Sequence, residues 1–322
     1  MGGGQSPRRR RARDPALERV FRRRRRAALA VLGVLLVLVV WGIASIAGGD
    51  ESQSAKATPP ELPRGGRAIL PRYRVVTYYG APQDPELGVL GTVTPRVAAA
   101  RLVRQARAYE RKRRPVLPAF ELLATIAHAA PGDDGLHRLR QDPAVISRYL
   151  RAVRRIKGLL ILDVQPGQAD FLDEARALEP YLLEPDVELA LDSEWSVPGG
   201  TVPGEAIGST DAETINRVSA YVAALVRSRR LPQKLLLVHQ FTEGMVKDRQ
   251  AVVPRPGLAI VFNVDGFGTQ ELKTGVYERL TDAPAPARPL FGLKLFFSED
   301  TGLMTPHSVF SLRPRPAVVV YE

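Results

Sequence analysis

Eight apolar, strand-like runs, with a helical pattern in each of the seven intervals between them, predict an α/β fold over residues 71–322: a (β/α)8 TIM-like barrel. Five of the runs are LLILDVQ (159–165), VELALDSEW (187–195), LLLVHQF (235–241), LAIVFNVDGFG (258–268) and GLKLFFSED (292–300), each continuously hydrophobic before it ends in polar residues. Parallel strands covered on both faces read this way, and the site of such a protein lies beyond their carboxyl ends. The rival arrangement is an open doubly wound sheet, which normally carries a Gly-rich phosphate turn after its first strand. YYGAPQDPELG (78–88) is not such a turn.

In chain order, strands are expected at 73–79, 116–123, 159–165, 187–193, 235–241, 258–264, 291–297 and 317–321. Thr94 as N-cap and Pro95 at the first helical position open a helix over 95–112, with Ala98, Leu102, Ala106 and Tyr109 on one face. Asp142-Pro143 opens the second, which aligns Ile146, Tyr149, Val153 and Ile156. The third spans about 170–183. The fourth starts from Thr210 and Glu213 in capping-box spacing and aligns Ile215, Val218, Val222 and Leu225. A short helix is expected near 243–250. A longer one over 269–280 presents Leu272, Val276 and Leu280, and a last short one starts at Thr305-Pro306. The eighth helix is absent or replaced by the stalk segment packing back.

The 322 residues carry a net charge of +12, but eleven Arg in residues 1–26 against Asp14 and Glu18 account for +9 of it, so only +3 belongs to the remainder. The basic character sits in a tail rather than on a binding face, which argues against nucleic acid as a partner. No cysteine is present, excluding disulfides, thiolate metal sites and a Cys nucleophile. Residues 27–47, AALAVLGVLLVLVVWGIASIA, hold no charge and reach, at ~1.5 Å each, across a ~30 Å hydrocarbon core. The Arg cluster before them places the amino terminus in the cytoplasm and the chain beyond residue 48 outside. The expected organisation is therefore a cytoplasmic tail (1–26), a single transmembrane helix in the plasma membrane (27–47), a flexible Pro/Gly/Ser stalk (48–70) and an extracytoplasmic barrel (71–322). A cleaved secretory signal ending at Ser45-Ile46-Ala47 is the competing reading, but its apolar core is normally shorter.

Side chains two apart on a strand share a face. By that parity Asp163 and Gln165 on the third strand, Asp192 and Glu194 on the fourth, His239 on the fifth, Asn263 and Asp265 on the sixth and Lys294 on the seventh converge on one cavity, with Glu121 and Tyr321 able to join them. Singly, each has a plainer reading: a strand-end Asp caps a loop, a lone His sits hydrogen-bonded in a core, and Glu299 and Asp300 belong to a solvated loop. Asp192-x-Glu194 resists that reading, because two inward carboxylates are costly unless paired or used. One of them, held protonated by its neighbour, suits donation to a glycosidic oxygen. Trp195, Tyr78, Tyr79, Phe241 and Phe267 near strand ends are suited to stacking on sugars or to anchoring loops. A two-metal hydrolase would want more than four histidines and a His-x-His or His-x-x-x-His spacing, and neither a Gly-x-Ser-x-Gly elbow nor a P-loop is present.

The segments ILDVQPG (161–167), ALDSEW (190–195), KLLLVHQF (234–241), VDGFG (264–268) and GLKLFF (292–297) resemble an uncharacterised family of membrane-anchored or secreted bacterial TIM-barrel proteins that are similar to glycoside hydrolases. ALDSEW also resembles the end of the fourth-strand Asp-x-Glu signature of chitinase-like barrels, which implies Glu194 as the acid and Asp192 as its assisting carboxylate. The chain departs from that signature upstream, where Glu188, Leu189 and Ala190 replace a further Asp and a Gly. The expected function is a membrane-tethered glycoside hydrolase acting on cell-envelope or extracellular polysaccharide. Glu194, Asp192 and Asp163 are the expected catalytic residues, and His239, Gln165, Asn263, Asp265, Lys294, Trp195, Glu121 and Tyr78 the expected carbohydrate-binding ones. No cofactor or metal is expected. The alternative is a non-catalytic barrel that binds envelope glycan or protein.

Overall fold

The computed structural model describes residues 58–282 and 289–322. The expected tail, the transmembrane helix at 27–47 and residues 48–57 of the stalk lie outside the described residues, and among those described no helix is long and apolar enough to cross a membrane. Eight strands run in parallel: β1 (Arg74–Gly80), β2 (Val116–Ala127), β3 (Leu159–Val164), β4 (Val187–Asp192), β5 (Lys234–Gln240), β6 (Leu258–Val264), β7 (Leu290–Leu295) and β8 (Val318–Tyr321). Each pairs with the next, and β8 pairs back to β1 through Val75–Val318 to Tyr78–Tyr321, so the sheet closes into a barrel. Closure leaves no barrel strand with an open edge.

Alternation then divides the core in two. Val75, Tyr79, Leu117, Ala119, Ile161, Ala190, Leu237, Val261, Val318 and Val320 point into the barrel, whereas Val76, Phe120, Leu162, Leu191, Val238, Phe262, Leu293 and Val319 meet the helices. Those helices are α1 (Pro95–Arg107), α2 (Pro143–Arg155), α3 (Phe171–Ala177), α4 (Ala212–Arg229), α5 (Gln270–Asp282) and α6 (Pro306–Ser311). The Asp142 carboxylate accepts from Ala144 N–H and Asp170 from Leu172 N–H, satisfying amide groups that a helix start leaves unpaired.

Several local expectations move. The cap of α4 is Asp211, accepting from Thr214 N–H, one residue past the expected Thr210. The interval after β5 holds two 3-10 turns, Glu243–Met245 and Arg249–Ala251, in place of a regular helix. In α5 the buried face is Lys273, Tyr277 and Leu280, and Leu272 is exposed. That rotation follows from Lys273, whose ammonium donates to the carbonyls of Gly266 and Lys294 and pairs with Asp300 at 3.0 Å.

Residues 58–70, the end of the expected stalk, fold back beneath the barrel. Leu62, Ile69 and Leu70, with Tyr73, join the inner apolar cluster and close its amino-terminal end. The Arg64 guanidinium donates to the carbonyls of Lys157, Val116 and Ile156, and the Gln233 side-chain carbonyl accepts from both Ile69 and Leu70 N–H. The compact unit accordingly begins at Pro59. Three apolar side chains are enough here because the barrel supplies the other half of the contact. Ile69→Ala should cost about 2–5 kcal/mol of unfolding free energy in urea titration; a wild-type midpoint would show that this plug carries no load.

Candidate active site at the carboxyl ends of the strands

The strand parity that builds the inner core delivers Glu121, Asp163, Gln165, Asp192, His239, Asn263, Asp265 and Lys294 to the carboxyl-terminal end of the barrel, all buried. Glu194 and Trp195 follow on a 3-10 turn, Ser193–Trp195, half-buried at the rim. Two expected members lie elsewhere. Tyr78 and Tyr321 have outward parity: their rings meet edge to face, and the Tyr321 hydroxyl pairs with that of Tyr109 at 2.6 Å. Their neighbours take their places, Tyr79 on β1 and Glu322 just past β8.

His239 stands at the centre. Its Nε2 lies 2.8 Å from Glu121 Oε1 and its Nδ1 2.8 Å from Asp265 Oδ2. Burial opposes a charged imidazole, but Asp265 and Glu121 outweigh it and raise the pKa well above the ordinary histidine value. Asp265 also accepts from Asn263 Nδ2 at 2.7 Å and has the Lys294 ammonium 3.8 Å away. Burial alone would raise its pKa; His239 and Lys294 reverse this and hold it below the usual carboxylate value. Lys294 in turn pairs with Glu322 at 2.6 Å and lies 3.7 Å from the centre of the Tyr79 ring. Burial works against its charge, and Glu322, Asp265 and Asp192 keep it protonated.

The remaining carboxyls are pushed the other way. Asp163 is fully buried, neither of its oxygens meets a hydrogen-bond partner among the described residues, and burial followed by Asp192 raises its pKa well above normal. Asp192 accepts from Gln165 Nε2 at 3.4 Å, and burial raises it too. Gln165 is fixed by Ala127 N–H on its oxygen and by the Tyr79 hydroxyl on its nitrogen. Glu194 is raised to about 7, first by burial and then by the charges of Asp192 and Asp265.

Depth separates these groups. A cavity of about 240 Å³ is lined by Asp192, Glu194, Asp265, Lys294 and Glu322 together with Tyr79, Trp195, Phe241, Phe267 and Phe296. Glu121, Asp163 and His239 lie below its floor, and their ligand-type atoms stand within 4.8 Å of one another. A larger groove, about 1260 Å³, continues past Glu86 and Glu322, with Tyr78, Phe297, Arg101 and Arg104 along it. Asp300, expected in a solvated loop, is instead a buried brace, accepting from Gly268 and Phe296 N–H and from Lys273.

Glu322 carried a usable signal, since it follows the inward Val318 and Val320 in the same parity. Gly292 carried another. A Cβ there would stand 2.2 Å from Asn263 Oδ1, its neighbour in the β6–β7 pairing, so the missing side chain is what leaves room for the Asn263–Asp265 contact.

No protein-family model matches the chain, and no curated protein matches it. Among solved structures it is similar to a GH5 xyloglucan-specific endo-beta-1,4-glucanase from a metagenomic library, in complex with cellotriose. The TM-score is 0.37 and the identity 10%, over 74% of this chain and 80% of that one. It is also similar to a protein described as an alpha amylase from Salmonella typhimurium, with TM-score 0.25 and 11% identity, covering 73% of this chain and 35% of that one. Likenesses of this size add nothing to a fold that the strand pairing establishes directly.

Gly292→Ala should destabilise the domain by about 1–3 kcal/mol through overpacking against Asn263. Urea unfolding at unchanged stability would contradict the close approach.

Proposed function

We propose that this protein is a glycoside hydrolase, tethered to the plasma membrane by residues 27–47, whose barrel cleaves cell-envelope or extracellular polysaccharide with Glu194 as general acid and Asp265 as the ionised carboxylate opposite. The observation that carries this reading is the cavity itself, where a half-buried Glu194 and a pinned Asp265 share one small space among aromatic rings. Asp265 accepts from Asn263 and His239 and faces Lys294, contacts that only an ionised carboxylate satisfies in full. Burial with Asp192 alongside keeps the Glu194 proton on up to a pH of about 7. Two carboxyls driven apart in this way are the acid and the charge stabiliser of sugar hydrolysis.

In the reaction, Glu194 passes its proton to the glycosidic oxygen as the bond to the anomeric carbon breaks. Asp265 supplies the negative charge that favours the oxocarbenium-like transition state; water then adds its oxygen to the anomeric carbon and returns a proton to the ionised Glu194, restoring the acid. Asp192 contributes by holding the Glu194 proton in place. Asp163, expected among the catalytic residues, lies below the floor and is assigned no contact with sugar. Trp195 and Phe267 offer faces for sugar rings, and the groove past Glu322 gives a polymer somewhere to run, which favours a chain over a monosaccharide.

A panel of envelope and extracellular polysaccharides, assayed for reducing-sugar release, tests the assignment. Glu194→Gln should lower kcat by about 10²–10⁴-fold on any glycan the wild type cleaves, and wild-type activity should fall as pH rises through about 7, when the acid loses its proton. Equal rates in the two proteins would remove Glu194 from the mechanism. Wild-type binding without turnover across the panel would favour a barrel that only holds glycan.

A further inference from the structure

The group beneath the cavity floor has a composition that neither sugar contact nor core packing explains. Glu121, Asp163 and His239 are each 0% exposed, on three different strands. Glu121 Oε2 and both Asp163 oxygens have no hydrogen-bond partner among the described residues. A buried carboxylate oxygen left bare costs on the order of 1–3 kcal/mol, more if charged. Protonating Asp163 would turn one oxygen into a donor and leave the other still bare. Glycan has no access, since none of the three residues lines the cavity. What fits between them is small and either donates hydrogen bonds or carries positive charge.

We propose that Glu121, Asp163 and the Nε2 of His239 bind one divalent first-row metal ion. Their ligand atoms lie within 4.8 Å of one another. Ligands of a single ion at about 2.0–2.2 Å stand roughly 2.9–4.4 Å apart, so the group must draw in around the ion on binding. His239 Nε2 and Glu121 Oε1, 2.8 Å apart as a hydrogen-bonded pair, open slightly to admit the ion. The ion takes the place of the Nε2 proton that Glu121 accepts in its absence, so that two carboxylates and a neutral imidazole match a divalent charge, and mixed imidazole and carboxylate donors select Zn²⁺ or Mn²⁺ over Ca²⁺. The surrounding contacts are those a metal-bound histidine requires. Asp265 Oδ2 takes the Nδ1–H at 2.8 Å, which leaves the Nε2 lone pair for the ion, and Asn263 in turn holds Asp265. Asp265 remains an ionised acceptor throughout, so the site coexists with the hydrolase assignment and does not depend on it.

The full chain, purified in detergent and stripped with chelator, is titrated calorimetrically with ZnCl₂ and with MnCl₂, and with CoCl₂ for visible absorption bands. One equivalent of Zn²⁺ or Mn²⁺ should bind. Asp163→Asn should lose the stoichiometric site, and Asp265→Asn should weaken it about 10–100-fold. Far-UV circular dichroism confirms that both variants are folded, and the wild-type titration stands without them. Failure of the stripped wild type to bind any of the three ions stoichiometrically would overturn the site, as would wild-type affinity in folded Asp163→Asn. Each readout is made without glycan, so failure here leaves the hydrolase assignment standing, and loss of that assignment leaves this test unchanged.

Discussion

An imidazole clamped between two carboxylates holds the working end of this barrel together. Glu121 reaches His239 from β2 and Asp265 reaches it from the end of β6, each at 2.8 Å, with His239 itself on β5. Three strands are thereby tied across the interior by charged contacts that water hardly screens. Removing one partner of such a buried set costs about 3–5 kcal/mol, because the others are left uncompensated. The rest of the mouth is arranged around this clamp. Asn263 steadies Asp265, Lys294 balances Asp265 and Glu322, and Gly292 leaves the space in which Asn263 sits.

The clamp also divides the polar groups by depth, and depth decides their chemistry. Below the floor, Glu121, Asp163 and His239 are sealed from solvent and answer only to one another or to an ion. At the floor, Asp192 and Asp265 are buried yet border the cavity. At the rim, Glu194 is open enough to exchange its proton and buried enough to keep it near neutrality. A group at full depth could not deliver a proton to substrate, and one fully in water would have lost it.

Much of this was legible from residue spacing. Continuous apolar runs located the eight strands to within a few residues, and two-residue parity brought Asp163, Asp192, His239, Asn263, Asp265 and Lys294 to one end. On β8 the inward set was misjudged by one residue, giving Tyr321 the place held by Glu322, and on β1 nearness to the strand end did not separate the outward Tyr78 from the inward Tyr79. Helical spacing misled in α5, where a long ammonium buried in preference to Leu272 because three oxygens awaited it. Composition marked residues 58–70 as a stalk since Leu62, Ile69 and Leu70 are too few to fold alone. Their partner surface, the underside of the barrel, exists only once the sheet has closed. Depth along the barrel axis was not readable at all, since parity gives the face of a strand and not the distance from water.

Everything proposed for the cavity rests on Glu194 being an acid set near neutrality by its surroundings. Carboxyl-carbon NMR titration of the selectively labelled domain, with Glu194→Gln to assign the resonance, measures this without a substrate. A Glu194 midpoint at about 7 is the expected result. A midpoint at the ordinary glutamate value, near 4.3, would contradict it.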